Sequence, residues 1–231
     1  MYSIRSYTVN NESHLIAVGC MHKVGQAKSN QDHIDSLLDF VKAHFKVTSV
    51  THTWGGQNYK PADMLPYIGE KNKGSRQYVA TGFSTDGLIY GTLAAMIISD
   101  GISGAEHPYY ELFKASRHQP LKAAKNVIKE NLNVAYQLLQ DFTVTGIAND
   151  VEDLRPGEGK IVQKGAKKIA VHKDTNGNLN VLSPICPHMG CIVHWNNAEE
   201  SWDCPCHGSR FDCTGNIIEG PAFHGLERKS T

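Results

Sequence analysis

The chain has 231 residues, of which 40% are hydrophobic, and its 23 basic side chains balance 23 acidic ones for a formal charge of zero. That is the composition of an ordinary folded protein of one or two domains, and it gives no electrostatic case for nucleic acid or an anionic membrane as a partner. The amino terminus lacks the apolar core of a signal peptide, and the longest apolar run, LIYGTLAAMIIS at 88–99, falls short of the ~20 residues that span a bilayer; a cytoplasmic protein with no membrane span is expected.

The chain enters at once into a strand pattern, Tyr2 to Val9, and then a second, Leu15 to Val18, across the turn-like NNES. That abrupt start reads as the beginning of a piece of a longer protein. SNQDHIDSLLDFVKAHF then places Ile34, Leu37, Leu38, Val41 and Phe45 on one helical face, with Ser29 or Asn30 as cap. A strand-like SVTHTW, the turn-rich GGQNYKPADMLPYIG and a short strand QYVATGF follow. GLIYGTLAAMIISDGISG is apolar on most faces and is expected to be a buried helix, capped by Thr85 or Asp86. QPLKAAKNVIKENLNVAYQLLQDF carries Leu121, Ala124, Val127, Ile128, Leu132, Ala135, Leu138 and Leu139 along one stripe, an amphipathic helix suited to connect domains.

From about Thr143 helical periodicity stops. Short alternating runs take over: KKIAVHK and NLNVLS around DTNGN, then CIVHW and RFDC, then NIIEG after a CTGN turn. The last stretch reads as a small all-β domain, and its chemistry is concentrated in CPHMGC and CPCHGS. Cys186 and His188 are separated by fifteen residues from Cys204 and His207, with a further cysteine in each loop at Cys191 and Cys206. Two Cys–His pairs can ligate a tetrahedral zinc, although zinc leaves Cys191 and Cys206 without a purpose. Alternatively two thiolates bind one iron of a two-iron cluster and two imidazoles the other.

CPHMGC and CPCHGS at this separation closely resemble the cluster-binding loops of Rieske [2Fe-2S] proteins. The resemblance implies Cys186 and Cys204 on one iron and His188 and His207 on the other, with Cys191 and Cys206 as the loop-to-loop disulfide of the high-potential subtype. GPAF, with Pro221, resembles the proline loop that covers the cluster. Replacing two thiolates by neutral imidazoles removes negative charge and lifts the potential into a window of roughly −150 to +300 mV. Ser209 stands where high-potential members place a hydroxyl donor to a bridging sulfide, whereas Phe211 replaces their tyrosine, so a lower potential is expected. With four protein ligands on two irons no position is left for substrate, and the centre would relay electrons. Cys20 reads as a buried small apolar residue, and Cys213 has no implied partner.

Upstream, YVATGFSTDGLIYG is a strand delivering a glycine-containing loop to a helix N-terminus, a place that favours an anionic ligand atom. Together with WGGQNYKPADMLPYIG it resembles the C-terminal part of FAD-dependent oxidoreductases of the D-amino acid oxidase and glycine oxidase type, over residues 1–118. The resemblance implies that Gly82, Phe83, Ser84, Thr85, Asp86, Gly87 and Leu88 line the pyrimidine edge of a flavin, mainly through backbone. Some bacterial members of that family carry a C-terminal Rieske domain. No GxGxxG occurs, although this family binds the ADP half of FAD through one. Either the FAD site has degenerated or, as the abrupt start favours and as is expected here, the chain is a C-terminal part whose FAD belongs to the full-length protein.

The resulting expectation is an α+β chain: a partial α/β FAD-oxidoreductase region at 1–118, a linker helix at 119–142 and an all-β Rieske domain at 143–231. Its function would be single-electron relay between FAD and a partner protein or small molecule. A stand-alone electron-transfer module with a non-catalytic scaffold is the alternative, distinguished by FAD in the full-length protein. A respiratory-complex subunit is disfavoured by the missing anchor, and a ring-hydroxylating oxygenase by the extra cysteine pair and the lack of a two-His-one-carboxylate pattern. Glu106, His107 and His118 are close in sequence, and a solvated loop explains them at least as well as an iron site. His14, His22, His33, His44 and His52 are read as surface or structural.

Overall fold

The computed structural model describes residues 2–117, 120–143, 151–165 and 167–229. The residues 118–119, at which the first expected boundary falls, and the stretch 144–150 lie outside the described residues; the second expected boundary, at 142/143, falls at the end of a described helix. Its contacts gather into two compact units, one made of Met1–Gly55 with Val134–Thr231 and the other of Gly56–Asn133. The expected division instead kept 1–118 together.

Strands β1 (Ser3–Val9) and β2 (Glu12–Val18) form an antiparallel hairpin in which Val9 faces Glu12. Asn10 and Asn11 make the two-residue turn at φ 50° and 64°, left-handed values that asparagine tolerates and that match the twist of a hairpin. Helix α1 (Gln31–His44) follows the expected periodicity and buries Val41. Ser29 supplies the local cap, its Oγ accepting from the Asp32 amide at 3.3 Å, and Asn197 from far along the chain accepts the Asn30 amide at 3.0 Å. SVTHTW is not a strand, since it finds no pairing partner among the described residues, and Trp54 is exposed. Cys20 is half-buried beside the Tyr2 hydroxyl at 3.8 Å, which corrects the expectation of a buried thiol.

In the unit at 56–133, β3 (Tyr67–Glu70) pairs antiparallel with β4 (Tyr78–Thr81). Sequence reading absorbed β3 into a loop because Pro61 and Pro66 hide its four residues. Helix α2 (Gly87–Ser103) and the short α3 (Tyr110–Phe113) close on this hairpin, with Ile68, Ala94, Ile97 and Phe113 at the core. The expectation that α2 is buried fails: Leu88, Ile89, Met96 and Ile102 are exposed. A two-stranded hairpin and one helical turn cover only one face of a 17-residue helix. Asp63 and Arg117 brace this unit through two 2.8 Å bonds, with the guanidinium 3.9 Å from the centre of the Tyr67 ring.

Helix α4 (Pro120–Thr143) has the expected length, and the division between units falls within it, between Asn133 and Val134. Its stripe is largely uncovered at Val127, Ile128, Leu132 and Leu139, whereas Leu138 packs on the C-terminal core.

The C-terminal β region has two sheets. Strands β5 (Gly159–Lys164), β6 (Lys167–Lys173) and β7 (Leu179–Leu182) run antiparallel in the order β5-β6-β7. Strands β8 (His194–Asn196), β9 (Ser201–Asp203), β10 (Arg210–Asp212) and β11 (Ile217–Glu219) run in the order β11-β10-β9-β8. Ala170, Leu182, Val193, Trp202, Phe211 and three cysteines share one core. Strands β5 and β9 escaped sequence reading because GKIVQK begins and ends polar and SWD is too short to show alternation. Asp174 and Asp212 each turn the chain in the same way, a carboxylate oxygen accepting the amides two and four residues on before Gly177 and Gly215 adopt positive φ.

Candidate metal centre

Two loops of identical construction emerge from the ends of β-structure. In the first, the Cys186 amide donates to Cys191 O at 2.8 Å and the Gly190 amide donates back to Cys186 O at 2.9 Å. In the second, the Cys204 amide donates to Ser209 O at 2.8 Å and the Gly208 amide to Cys204 O at 3.0 Å. Gly190 and Gly208 both sit at φ 80°, where a side chain is strained, so each CxxxG run is dictated by the turn that closes its loop. Both loops therefore present a cysteine and, two or three residues on, a histidine in matching positions.

The structure pairs the two cysteines with each other and the two histidines with each other. Cys186 and Cys204 are buried and hydrogen-bonded to each other, and the His188 and His207 rings lie 4.8 Å apart at nearly right angles. A hydrogen bond from Cys204 pulls the Cys186 thiol down to about 6, helped by the His188 amide and the Ser209 hydroxyl, which outweigh burial; the same pairing holds the Cys204 thiol up. Burial, with His188 beside it, lowers the His207 pKa, so its neutral, ligating form is favoured. Cys191 and Cys206 are joined in a disulfide across the loops. Their sulfurs lie with that of Cys204 within 4.8 Å, but a disulfide sulfur carries no thiolate charge, so this trio is not a ligand set.

His188 Nδ1 and His207 Nδ1 are buried and have no hydrogen-bond partner among the described residues. Two buried ring nitrogens without partners are costly unless something binds them. Beside two thiols, one already acidic, they make a two-nitrogen, two-sulfur donor set that fits a Cys₂His₂ two-iron group.

Around this set, Ser209 is fully buried; its hydroxyl bonds the Cys186 sulfur, and its Oγ accepts the Ala222 amide at 3.0 Å. That bond ties the GPAF segment, with Pro221, to the second loop. Phe211 is fully buried and pairs across the sheet with Trp202. Behind the loop, Arg210 bonds Asp203 Oδ1 at 3.1 Å and Glu199 Oε2 at 2.8 Å, a brace that sequence reading missed because its members are spread over 199–210. Cys213 is half-buried with its thiol pushed up by burial and by nearby carboxylates, and among the described residues it joins no metal-ligating cluster.

The segment Gly82–Leu88 belongs to the unit at 56–133. Gly82 sits at φ 77°, and a Cβ there would lie 2.4 Å from Pro61 Cγ, so only glycine lets the loop press against the proline. Ser84, at φ 53°, donates its amide to Tyr59 O at 3.3 Å, and the Asp86 amide closes back on Phe83 O. Asp86 is the N-cap residue of α2 but makes no side-chain cap bond, and Thr85 makes none either. Gly87 and Leu88 open the helix, with Leu88 exposed. The amides at this helix end are not taken by a side-chain cap, the chemistry an anionic ring edge requires. Of the loop histidine pattern, His107 is buried and its Nδ1 accepts the Tyr109 amide, a structural role; His118 lies outside the described residues.

Residues 146–228 match the Rieske [2Fe-2S] domain family, and residues 3–101 match the FAD dependent oxidoreductase family, so an α/β oxidoreductase-type region precedes a β-rich Rieske domain. The first domain implies FAD and the second a [2Fe-2S] cluster. Over 98% of its length the chain is 34% identical to the Bacillus subtilis protein YhfW, whose own description as a Rieske 2Fe-2S iron-sulfur protein is provisional, and it covers 44% of that protein. Over 35% of its length and 42% of the relative, the chain is 40% identical to the cytochrome b6-f complex iron-sulfur subunit of Chlorobaculum thiosulfatiphilum. The chain thus spans less than half the length of these curated relatives. Among solved structures, the plasma membrane Rieske protein PetC3 from Synechocystis PCC 6803 is 31% identical over 32% of this chain and 75% of its own, at a TM-score of 0.30. No helix among the described residues is long and apolar enough to cross a membrane.

Proposed function

We propose that Cys186, Cys204, His188 and His207 hold a [2Fe-2S] cluster through which single electrons pass between a flavin and a redox partner. The two buried, unpartnered Nδ1 atoms, on neighbouring rings, together with the paired thiols carry this reading. Such a cluster supplies one-electron transfer and leaves no coordination position for substrate. The surrounding residues hold it rigid and dry: the Cys191–Cys206 disulfide fixes the spacing of the loops, Ser209 donates toward the sulfur side, and Ala222 packs over it from the GPAF segment. Rigid surroundings suit electron transfer because little must rearrange when the charge changes.

In the same reading, Gly82 to Leu88 meet the pyrimidine edge of the isoalloxazine. Backbone amides at the start of α2 would stabilise the negative charge of the reduced ring. The substrate would be a small molecule that loses a hydride from a carbon next to an amine or hydroxyl.

The test is EPR of the dithionite-reduced protein, with iron, zinc and flavin quantified on the same sample. A rhombic signal with two irons per chain is the expected result. Stoichiometric zinc without a signal would overturn the electron-transfer account.

A further inference from the structure

The segment Gly25–Gln31, which lies in the oxidoreductase-type region, is fastened onto the second ligand loop. Gly25 is buried at φ 67°, and a Cβ there would stand 2.7 Å from both Asp203 O and Pro205 N, so the segment presses against the backbone on either side of Cys204. Its carbonyl accepts from His194 Nδ1 at 2.5 Å, and the Asn30 and Gln31 amides both reach Asn197 Oδ1. Between these anchors the Gln26 side chain donates from Nε2 to Pro205 O at 2.8 Å.

That carbonyl is not an arbitrary acceptor. Pro205 C=O and Cys206 N–H are the two ends of one conjugated peptide group, and the Cys206 N–H donates to the sulfur of Cys204. Hydrogen bonds in a chain polarise one another, each donor strengthening the next. The sequence of bonds is therefore Gln26 N–H to Pro205 O, then Cys206 N–H to Cys204 Sγ. Donors to a ligand sulfur stabilise the more negative, reduced cluster and raise its potential.

We propose that Gln26 is a positioning residue that tunes the cluster's reduction potential through the Pro205–Cys206 peptide, so that the oxidoreductase-type region sets the redox poise of the Rieske domain. The inference rests on the ligand assignment proposed above. A contact with only a packing role needs bulk at position 26 and no donor, which makes the two roles separable.

The experiment is a redox titration of the intact chain, followed by EPR, for the parent and for Gln26→Met, Gln26→Glu and Gln26→Lys, with iron content and thermal melting measured alongside. Absence of the rhombic signal in the parent would sink the ligand assignment itself. Given the signal, Gln26→Met is expected to lower the equilibrium constant for reduction about threefold, which at 59 mV per tenfold for one electron is about 30 mV. Gln26→Glu, whose carboxylate faces the carbonyl without a donor, is expected to lower it further, and Gln26→Lys, which keeps a donor, to hold or raise it. Unchanged potentials in Gln26→Met and Gln26→Glu at full iron content overturn the proposal, as does an equal fall in Gln26→Met and Gln26→Lys, because lost packing would then be the cause. If Gln26→Met loses iron, the contrast between Gln26→Glu and Gln26→Lys decides the matter in the same way.

Discussion

The loops at 186–191 and 204–209 close with the same two backbone hydrogen bonds and place their glycines at the same φ, yet they live in different surroundings. The first carries Met189 at 63% exposure at its tip. The second is enclosed: Ser209 is tied to Ala222, Arg210 to Asp203 and Glu199, and Pro205 to Gln26. Two loops that share a backbone plan thus differ in their surroundings, one left open at the tip and the other held from behind, and buried donors act in a lower dielectric than exposed ones.

Perturbing the enclosed loop is expected to cost most. Arg210→Ala leaves Asp203 buried without its cation, and removing one partner of such a pair costs about 3–5 kcal/mol. Thermal unfolding should show the loss, with the iron content falling alongside it. Arg117→Ala in the unit at 56–133 removes the partner of the equally buried Asp63 and should destabilise by a similar amount, about 3–5 kcal/mol, while leaving the EPR signal of the cluster intact. A shared loss of signal in both variants would break the separation between the two arginine braces.

Opening the link between the loops ranks next. Cys191→Ser removes a bridge of sequence separation 15, for which chain entropy suggests about 3 kcal/mol. A lower melting temperature together with reduced iron content is expected, and full iron retention would show that backbone hydrogen bonds alone fix the loop spacing.

A smaller effect concerns Phe211, fully buried on β10 next to the second loop. Phe211→Tyr supplies the hydroxyl that high-potential members of the resembled family direct at a cysteine sulfur; at ~1 kcal/mol for one added hydrogen bond, the potential should rise by about 40 mV on the scale of 59 mV per tenfold. A titration showing no rise would remove the tyrosine comparison as an explanation of the expected low potential.

The smallest effect is the pH response of His194. Its Nδ1 faces the Gly25 carbonyl and its Nε2 faces Asp141 Oδ1 at 2.9 Å, two acceptors that only the imidazolium can satisfy together. Burial disfavours the charge, but the Asp141 carboxylate and the Gly25 carbonyl outweigh it and raise the pKa above 6.5. Stability from this group is therefore complete below about pH 6.5 and is lost as pH rises through the higher folded value. Lys168 lies on the Asp141 backbone carbonyl, and the His194 side chain remains 34% exposed, so solvent and a neighbouring cation moderate the effect. Melting temperature should fall gently across that range in the parent, and His194→Gln should flatten the dependence.

The sequence by itself determined what is local. Asn10-Asn11 set a hairpin, the 3.6-residue period set α1 and α4, and two CxxxG runs set two matching loops, because each depends on residues a few positions apart. The cysteine and histidine spacing was legible for the same reason, and the match over 146–228 agrees with the resemblance drawn from it. Only the tertiary structure decided the rest. Burial of α2 could not be read from its composition, because apolar residues on every face say nothing about which face finds a cover. Strand β3 existed only once β4 could pair with it. Gln26, His194 and Asn197 carry no motif; they matter because the fold sets residues 25–31 against 194–205, and a hydrogen bond across such a separation leaves no periodic trace in the chain.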